Sequence, residues 1–386
     1  MDRTPWPQWL FFTGGTALRA LSHELAQTNP SSLHIVTTFD SGGSTAELRR
    51  CFAIPAMGDV RNRLLALADP HLPAPLRMFF QMRMPNEASE DIRQTLHALS
   101  LPTDPFWHTT DPKAVALLTS LLSSFLATMP RHFDLRGASL GNIVLTQAFL
   151  QNGRDFDATL AFFHQFLGVR GTIIPIVQES LHLGCRLADG TLVLGQHAFK
   201  GIRQEIRSIF LTVHEPGYQK EPEICHPPLR ARAVEALKQC DAIIYPMGSF
   251  YSSVLVNLLV KGVARTLAKR HCPKIFIPNV GFDPELRGCS IVDQCERLLA
   301  VMGEDAPHAT PSDLLNYVCI DSKGGDYQGR LDAETKHALA RLGILVVDTS
   351  LCRNPAHHDP QKTLRVLSRC LLHWSVSHGN DAFVDR

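Results

Sequence analysis

The sequence predicts an α/β protein: a Rossmann-like three-layer sandwich around a mostly parallel sheet, with helical and β-hairpin additions. Three observations carry that expectation. Short apolar runs alternate with longer segments of helical spacing, as buried parallel strands alternate with crossover helices. Glycine- and hydroxyl-rich loops follow the runs, which is where such sheets bind ligands. The 386 residues are 45% hydrophobic and 19% charged, enough to bury a sizeable core. One large domain over residues 1–386 is expected, with a helical insertion over 70–135 and a hairpin-and-loop addition over 172–230.

The first unit opens with the apolar run Leu10-Phe11-Phe12, which stops at Gly14-Gly15. Leu18, Leu21, Leu25 and Ala26 then recur at helical spacing, and Leu33-His34-Ile35-Val36 is the next strand. A helix is expected over Leu64–Asp69. Residues 70–135 read as mostly helical, punctuated by prolines at 70, 73, 75, 85, 102, 105 and 112. Within them Ala114–Met129 reads as a buried helix. Leu140–Thr146 reads as a helix start. Residues 172–199 read as antiparallel strands, with Ala188-Asp189-Gly190-Thr191 as a hairpin turn. Residues 214–230 are polar and Pro-rich and read as a loop or lid. A second strand–loop–helix–strand unit follows: Ala242–Tyr245, the loop Gly248-Ser249, a single helix Ser252–Arg270, and Lys274–Ile277. A third has strands at Tyr317–Asp321 and Ile344–Val347 around a helix at Ala333–Leu342. The last helix is expected over Gln361–Ser375.

Composition narrows the function. Lys+Arg total 38 and Asp+Glu 37, a formal charge of +1, which argues against a large surface for nucleic acid but allows a local basic pocket. No apolar stretch approaches the roughly 20 residues of a membrane span. The N-terminal segment around Trp6, Pro7 and Trp9 lacks a cationic-then-apolar pattern, so a cytoplasmic location is expected. The 10 cysteines are scattered singly without a C-x-x-C pair, which fits reduced, buried thiols. Neither a Ser-His-Asp order nor a Gly-x-Ser-x-Gly elbow is present. His357-His358-Asp359 lies between Pro355 and Pro360 and is expected to be a loop rather than a metal site.

The chemistry-bearing residues sit at loop–helix junctions. Gly14, Gly15 and Thr16 join the first strand to its helix, where glycines permit close backbone approach and the helix terminus offers free N–H groups to a phosphate. A plain tight turn is the alternative. Asp40, Ser41, Gly42, Gly43 and Ser44 repeat the arrangement after the second strand. Asp40 can bind a metal ion, a ribose hydroxyl or an attacking nucleophile; Ser44 with Glu47 also fits a capping box. Asp59 can cap the helix that follows. Arg61 or Asn62 is assigned to the site and Arg63 to the surface. Asn142 and Thr146, four apart, share a helix face. Gly248 and Ser249, followed by Tyr251, close the second unit.

Taken in order, Gly14-Gly15-Thr16, Asp40-Ser41-Gly42-Gly43-Ser44, Gly58-Asp59-Val60-Arg61-Asn62, Ser139-Leu140-Gly141-Asn142 and Gly248-Ser249-Phe250-Tyr251-Ser252 resemble the 2-phospho-L-lactate transferase (CofD-like) family, which includes the gluconeogenesis-factor proteins that bind a UDP-sugar. The resemblance spans roughly residues 10 to 300. It implies a Rossmann-like core, a nucleotide diphosphate or nucleotide sugar as partner, and a small-molecule acceptor. The family's transferases move a phospholactyl group from a guanosine diphosphate-activated donor to a deazaflavin alcohol, with magnesium. Carried over, Gly14, Gly15 and Thr16 would touch the donor phosphates, Asp40 the reacting centre or its Mg2+, Asp59, Asn142 and Thr146 the acceptor or sugar, and Gly248 and Ser249 the nucleotide end. Tyr251 would join the substrate side, and a homodimer is compatible with the family. Two departures bear on catalysis: Ala17 stands where the family usually has a further glycine, and Ser41 where many members have a second aspartate.

Overall fold

The structure is a computed structural model and describes residues 6–86, 90–327 and 331–379. In chain order the strands are β1 (Trp9–Thr13), β2 (Leu33–Val36), β3 (Thr172–Pro175), β4 (His182–Leu187), β5 (Leu192–Leu194), β6 (Ile206–Thr212), β7 (Ala242–Tyr245), β8 (Lys274–Phe276), β9 (Tyr317–Ile320) and β10 (Leu345–Asp348). Seven of them form one sheet in the order β10-β9-β8-β7-β1-β2-β3. Every neighbouring pair in it is parallel. β5, β4 and β6 form a separate antiparallel sheet.

The largely apolar character of β1 follows from its position. It is central, and all five of its residues are buried, with Leu10, Phe11 and Phe12 at 0% exposure. A strand covered by helices on both faces has no solvent side, so its sequence does not alternate. Each large apolar side chain buried this way contributes about 1.5–3 kcal/mol. The chain winds from β1 through β2 to β3 at one edge, then returns to β7 and proceeds to β10 at the other. Strand order therefore reverses between β1 and β7. A crevice opens at the carboxyl ends of strands at such a point.

The connections carry helices: α1 (Arg19–Thr28) between β1 and β2, and then α2 (Gly43–Phe52), α3 (Gly58–Leu67), α4 (Ala74–Gln81), α5 (Glu90–Leu99), α6 (Pro112–Thr128), α7 (Leu140–Gln151) and α8 (Phe156–Phe166) between β2 and β3. α6 matches the expected buried helix. Asp111 caps it by accepting from Lys113 and Ala114 N–H, Pro112 occupies its first turn, and Leu118, Leu122 and Phe125 are fully buried. α9 (Ala231–Gln239) precedes β7. The third unit and the last helix fall where periodicity places them, the latter at Pro360–Ser377. No helix among the described residues is long and apolar enough to cross a membrane.

Three expectations need correction. Thr172–Pro175 is not antiparallel; it is the edge strand of the main sheet beside β2, while the Asp189-Gly190 hairpin joins β4 and β5 as expected. The expected helix Ser252–Arg270 is broken. A π-helical turn at Phe250–Leu255 leads into one short helical turn, and a new helix begins at Val263. Gly262 makes the break: its φ of +99° is a left-handed conformation open to glycine, and its N–H donates to Asp305 rather than continuing the helix. The segment 357–358 is a strand of a small hairpin with Cys352–Asn354, and Asp359 caps the last helix by accepting from Lys362 N–H.

Candidate functional site

Four junctions meet at the β1–β7 reversal: the loops after β1, β2 and β7, and the start of α3. Contacts at the glycines fix their arrangement. A Cβ on Gly15 would lie 2.5 Å from Asp59 Oδ1 and 3.2 Å from Asn62 Nδ2, so the first loop rests directly on α3 and only glycine fits. A Cβ on Gly58 would lie 2.6 Å from Thr45 Oγ1 and 3.0 Å from Asp40 Oδ2, which sets the second loop beside the same helix. Gly248 lies against Ala17 and Ser253, closing the third side. Gly14, Gly15, Asp40, Gly42, Asp59, Asn62 and Gly248 are thereby brought together. Thr16 is exposed at the rim.

The helix termini differ in what they offer. α2 begins after Gly42 with no side-chain cap, and Asp40 Oδ1 accepts from Gly42 N–H at 3.0 Å, which folds the loop tightly. The first amides of α2, at Gly43 and Ser44, make no hydrogen bond within the described chain and can receive an oxyanion. The capping box expected of Ser44 and Glu47 is absent. Ser44 Oγ instead accepts from Ser139 N–H at 2.9 Å, and Glu47 binds Arg50 and the Asp134 N–H. α3 starts at Gly58, six residues before the expected Leu64, so Asp59 lies in its first turn and does not cap it. The amides after β7 are already taken. Phe250 N–H donates to Asp283, and those of Tyr251 and Ser252 to Glu285. These three amides are therefore not free to receive an anion; Gly248, against Ser253 and Ala17, lines the crevice.

The carboxylates Asp40 and Asp59 are neighbours. Burial first, and the Asp40 charge second, raise the Asp59 carboxyl well above the usual carboxylate range, while Arg63 and Arg61 oppose the shift. Such a group is largely protonated at neutral pH, and the fraction that ionises there is a strong proton acceptor. The assignment of the arginines is reversed for one of them. Arg63 is not on the surface but wholly buried, donating to the Gly14 carbonyl at 2.9 Å and to Ser22 Oγ. Arg61 is also buried and donates to Ser139 Oγ and, at 2.8 Å, to Asn62 Oδ1. Burial lowers both guanidinium pKa values to about 10, so both remain cationic at neutral pH.

Asn142 and Thr146 do share a face of α7. Ser139 caps that helix, and Asn142 Nδ2 reaches Thr45 Oγ1 at 3.4 Å. Asn142 Oδ1 and Thr146 Oγ1 are buried without a protein partner, as is Thr38 Oγ1. Unpaired polar atoms of this kind are costly and mark a place for a ligand or water. Tyr251, expected on the substrate side, turns into the core: it is 1% exposed and its hydroxyl donates to the Ile206 carbonyl. One residue has no counterpart in the sequence reading. His197, from the 3-10 turn Gln196–Gly201 after β5, places Nδ1 2.9 Å from Ser41 Oγ. No local pattern singles out this histidine; the signal is its position beside Gly195 in the hairpin addition.

Magnesium is compatible with these groups. Mg2+ is commonly held by one or two carboxylates plus substrate phosphates, and Asp40 supplies one. Among the described residues there is no group of three or more His, Cys, Asp or Glu that would form an all-protein metal cage.

Comparison with known proteins agrees with this picture. The family model described as 2-phospho-L-lactate transferase CofD matches residues 10–351. A gluconeogenesis factor of Halalkalibacterium halodurans is 30% identical over 269 residues, 70% of this chain and 65% of that protein. One of Bacillus subtilis is 28% identical over 278 residues, 72% of this chain and 69% of that protein. The crystal structure of a UPF0052 family protein from Bacillus halodurans superposes with a TM-score of 0.68 at 24% identity, covering 95% of this chain and 99% of that one; this likeness is one of fold.

Proposed function

The chain belongs to the 2-phospho-L-lactate transferase CofD family, and from that membership and the geometry of the crevice we propose that it is a nucleotide-diphosphate-dependent transferase. It would move a phosphorus-containing group to an acceptor hydroxyl. The single observation that carries this reading is the Asp40–Asp59 pair beside glycine loops, with Asp59 tuned as a proton acceptor.

The donor diphosphate would lie on the open amides of α2 at Gly43 and Ser44, with Gly14 and Gly15 allowing the phosphates close approach. Arg61 and Arg63 remain charged behind the loops and offset the negative charge that builds on the bridging oxygen. Asp59 in its ionised form would hold the acceptor hydroxyl and take its proton as the new bond to phosphorus forms and the bridging P–O bond breaks, the nucleoside monophosphate leaving. Asn142 would orient the acceptor through its unpaired Oδ1. Magnesium, held by Asp40 with the substrate phosphates, would supply further charge neutralisation. Phosphoryl-type transfer needs mainly positioning and electrostatics, so no protein nucleophile is required.

A second reading rests on the relatives' names. Proteins called gluconeogenesis factor are 28% and 30% identical to this chain, and the same crevice would hold a UDP-sugar without turnover. One experiment separates the readings. Calorimetry with GDP and with UDP-N-acetylglucosamine, each with and without Mg2+, is run on the wild type and on Asp40→Asn, followed by assay for transfer to hydroxyl acceptors. For the transferase, Asp40→Asn abolishes turnover and spares nucleotide binding. Binding of the UDP-sugar alone, with no turnover by wild type, supports the regulator. No binding of either ligand overturns both.

A further inference from the structure

A second concentration of charge lies away from the crevice. A pocket of about 620 Å³ is walled by Lys238, Lys261, Arg265, Lys269 and Arg270. None of the crevice residues lines it. Lys238 sits at the end of α9, just before β7, and Lys269 and Arg270 just precede β8, so this wall faces the amino ends of the strands rather than their carboxyl ends. Lys261 comes from the turn ahead of Gly262, fixed by its N–H to the Pro227 carbonyl at 2.9 Å and by its own carbonyl, which accepts from Leu229 N–H at 3.0 Å.

The charges are poorly compensated. Asp305 engages Arg265 at 2.9 Å and also accepts from Gly262 N–H. Arg270 donates to the Cys240 carbonyl at 3.0 Å. The ammonium groups of Lys238, Lys261 and Lys269 have no ion pair or hydrogen bond among the described residues. The whole chain carries a net charge of only +1, so five cations around one pocket are not the average of its surface. Like charges held this close repel, and a bound polyanion would relieve the repulsion. Ammonium groups and guanidinium forks together suit phosphate oxygens. The concave outline suits a compact ligand, whereas a nucleic-acid backbone is tracked by a basic stripe.

We propose that this pocket binds a small ligand bearing two or more phosphate groups, at a site separate from the crevice. The proposal does not depend on the transferase reading. It is tested by calorimetric titration of the full chain with inorganic tripolyphosphate. Three proteins are compared: wild type, the triple variant K238A/K261A/K269A, and Gly15→Ala, which obstructs the crevice. The proposal expects wild type and Gly15→Ala to bind tripolyphosphate alike, and the triple variant to bind about ten-fold or more weakly. The three lysines are exposed, so the triple variant keeps the wild-type melting temperature. Equal binding by the triple variant and wild type overturns the proposal. So does loss of binding in Gly15→Ala alone, which would assign the phosphate to the crevice. Binding of a single-stranded RNA 20-mer, abolished by the triple substitution, with no tripolyphosphate binding would overturn it in favour of a nucleic-acid surface.

Discussion

Replacing Asp59 by Asn should stabilise the unliganded protein, and by more as the pH rises from 5 to 8. Asp59 lies beneath Gly15, beside Asp40, and its carboxyl is raised well above the ordinary range by burial and then by the Asp40 charge. In the unfolded chain the same carboxyl ionises near pH 4. Folding therefore takes up a proton across the window between the two values. In that window the folded state binds more protons than the unfolded state, so the Asp59 contribution weakens as the pH rises, by up to about 1.4 kcal/mol per pH unit for one proton. Asparagine has nearly the same shape and cannot ionise, so it removes this dependence. The raised value already includes the opposing Arg63 and Arg61 charges, so that slope carried from pH 5 to pH 8 widens the gap by up to about 4 kcal/mol. Urea unfolding of both proteins at pH 5, 6, 7 and 8 reads the effect directly. The expected result is a gap that is small at pH 5 and widens steadily. Parallel stability curves, or a variant that is less stable throughout, would show that the Asp59 carboxyl is not raised and would remove the basis for its exchanging a proton near neutral pH.

Two further outcomes follow from the same geometry. Gly15→Ala places a methyl group against Asp59 and Asn62, so it should abolish nucleotide binding in calorimetry while leaving a folded protein by circular dichroism; retained affinity would place the phosphates elsewhere. Arg63→Met removes the buried guanidinium from the Gly14 carbonyl and Ser22 and leaves Asp59 without its nearest cation, which should cost about 2–4 kcal/mol in urea unfolding; a loss under about 0.5 kcal/mol would mean that Arg63 does not brace the first loop.

The fold class was legible because its signals are local. Leu10–Phe12, Leu33–Val36, Ala242–Tyr245 and Lys274–Ile277 are mostly apolar, with only His34 and Lys274 interrupting them, and a strand buried on both faces tends to read that way wherever it sits in the sheet. The loops could be found for the same reason: glycine, hydroxyl and carboxylate residues at a strand end are visible without knowing their neighbours. The Asp189-Gly190 hairpin was equally self-contained.

What failed to show in the sequence depends on partners distant along the chain. Arg63 looks like any charged residue in a helix, and only the approach of Gly14 and Ser22, 49 and 41 residues away, makes burying it tolerable. The helix predicted from Ser252 onward breaks because Asp305 accepts the Gly262 N–H, and the amides after β7 are closed by Asp283 and Glu285. His197 reaches Ser41 across 156 residues. The sequence alone determined the layers, most of the strands and the loops at their ends. The tertiary structure alone decided which helix termini stay open to an anion, which charges are buried, and that the Asp40 charge acts on the buried Asp59. Those properties belong to desolvation and to through-space contacts, and neither is written in the spacing of residues along a chain.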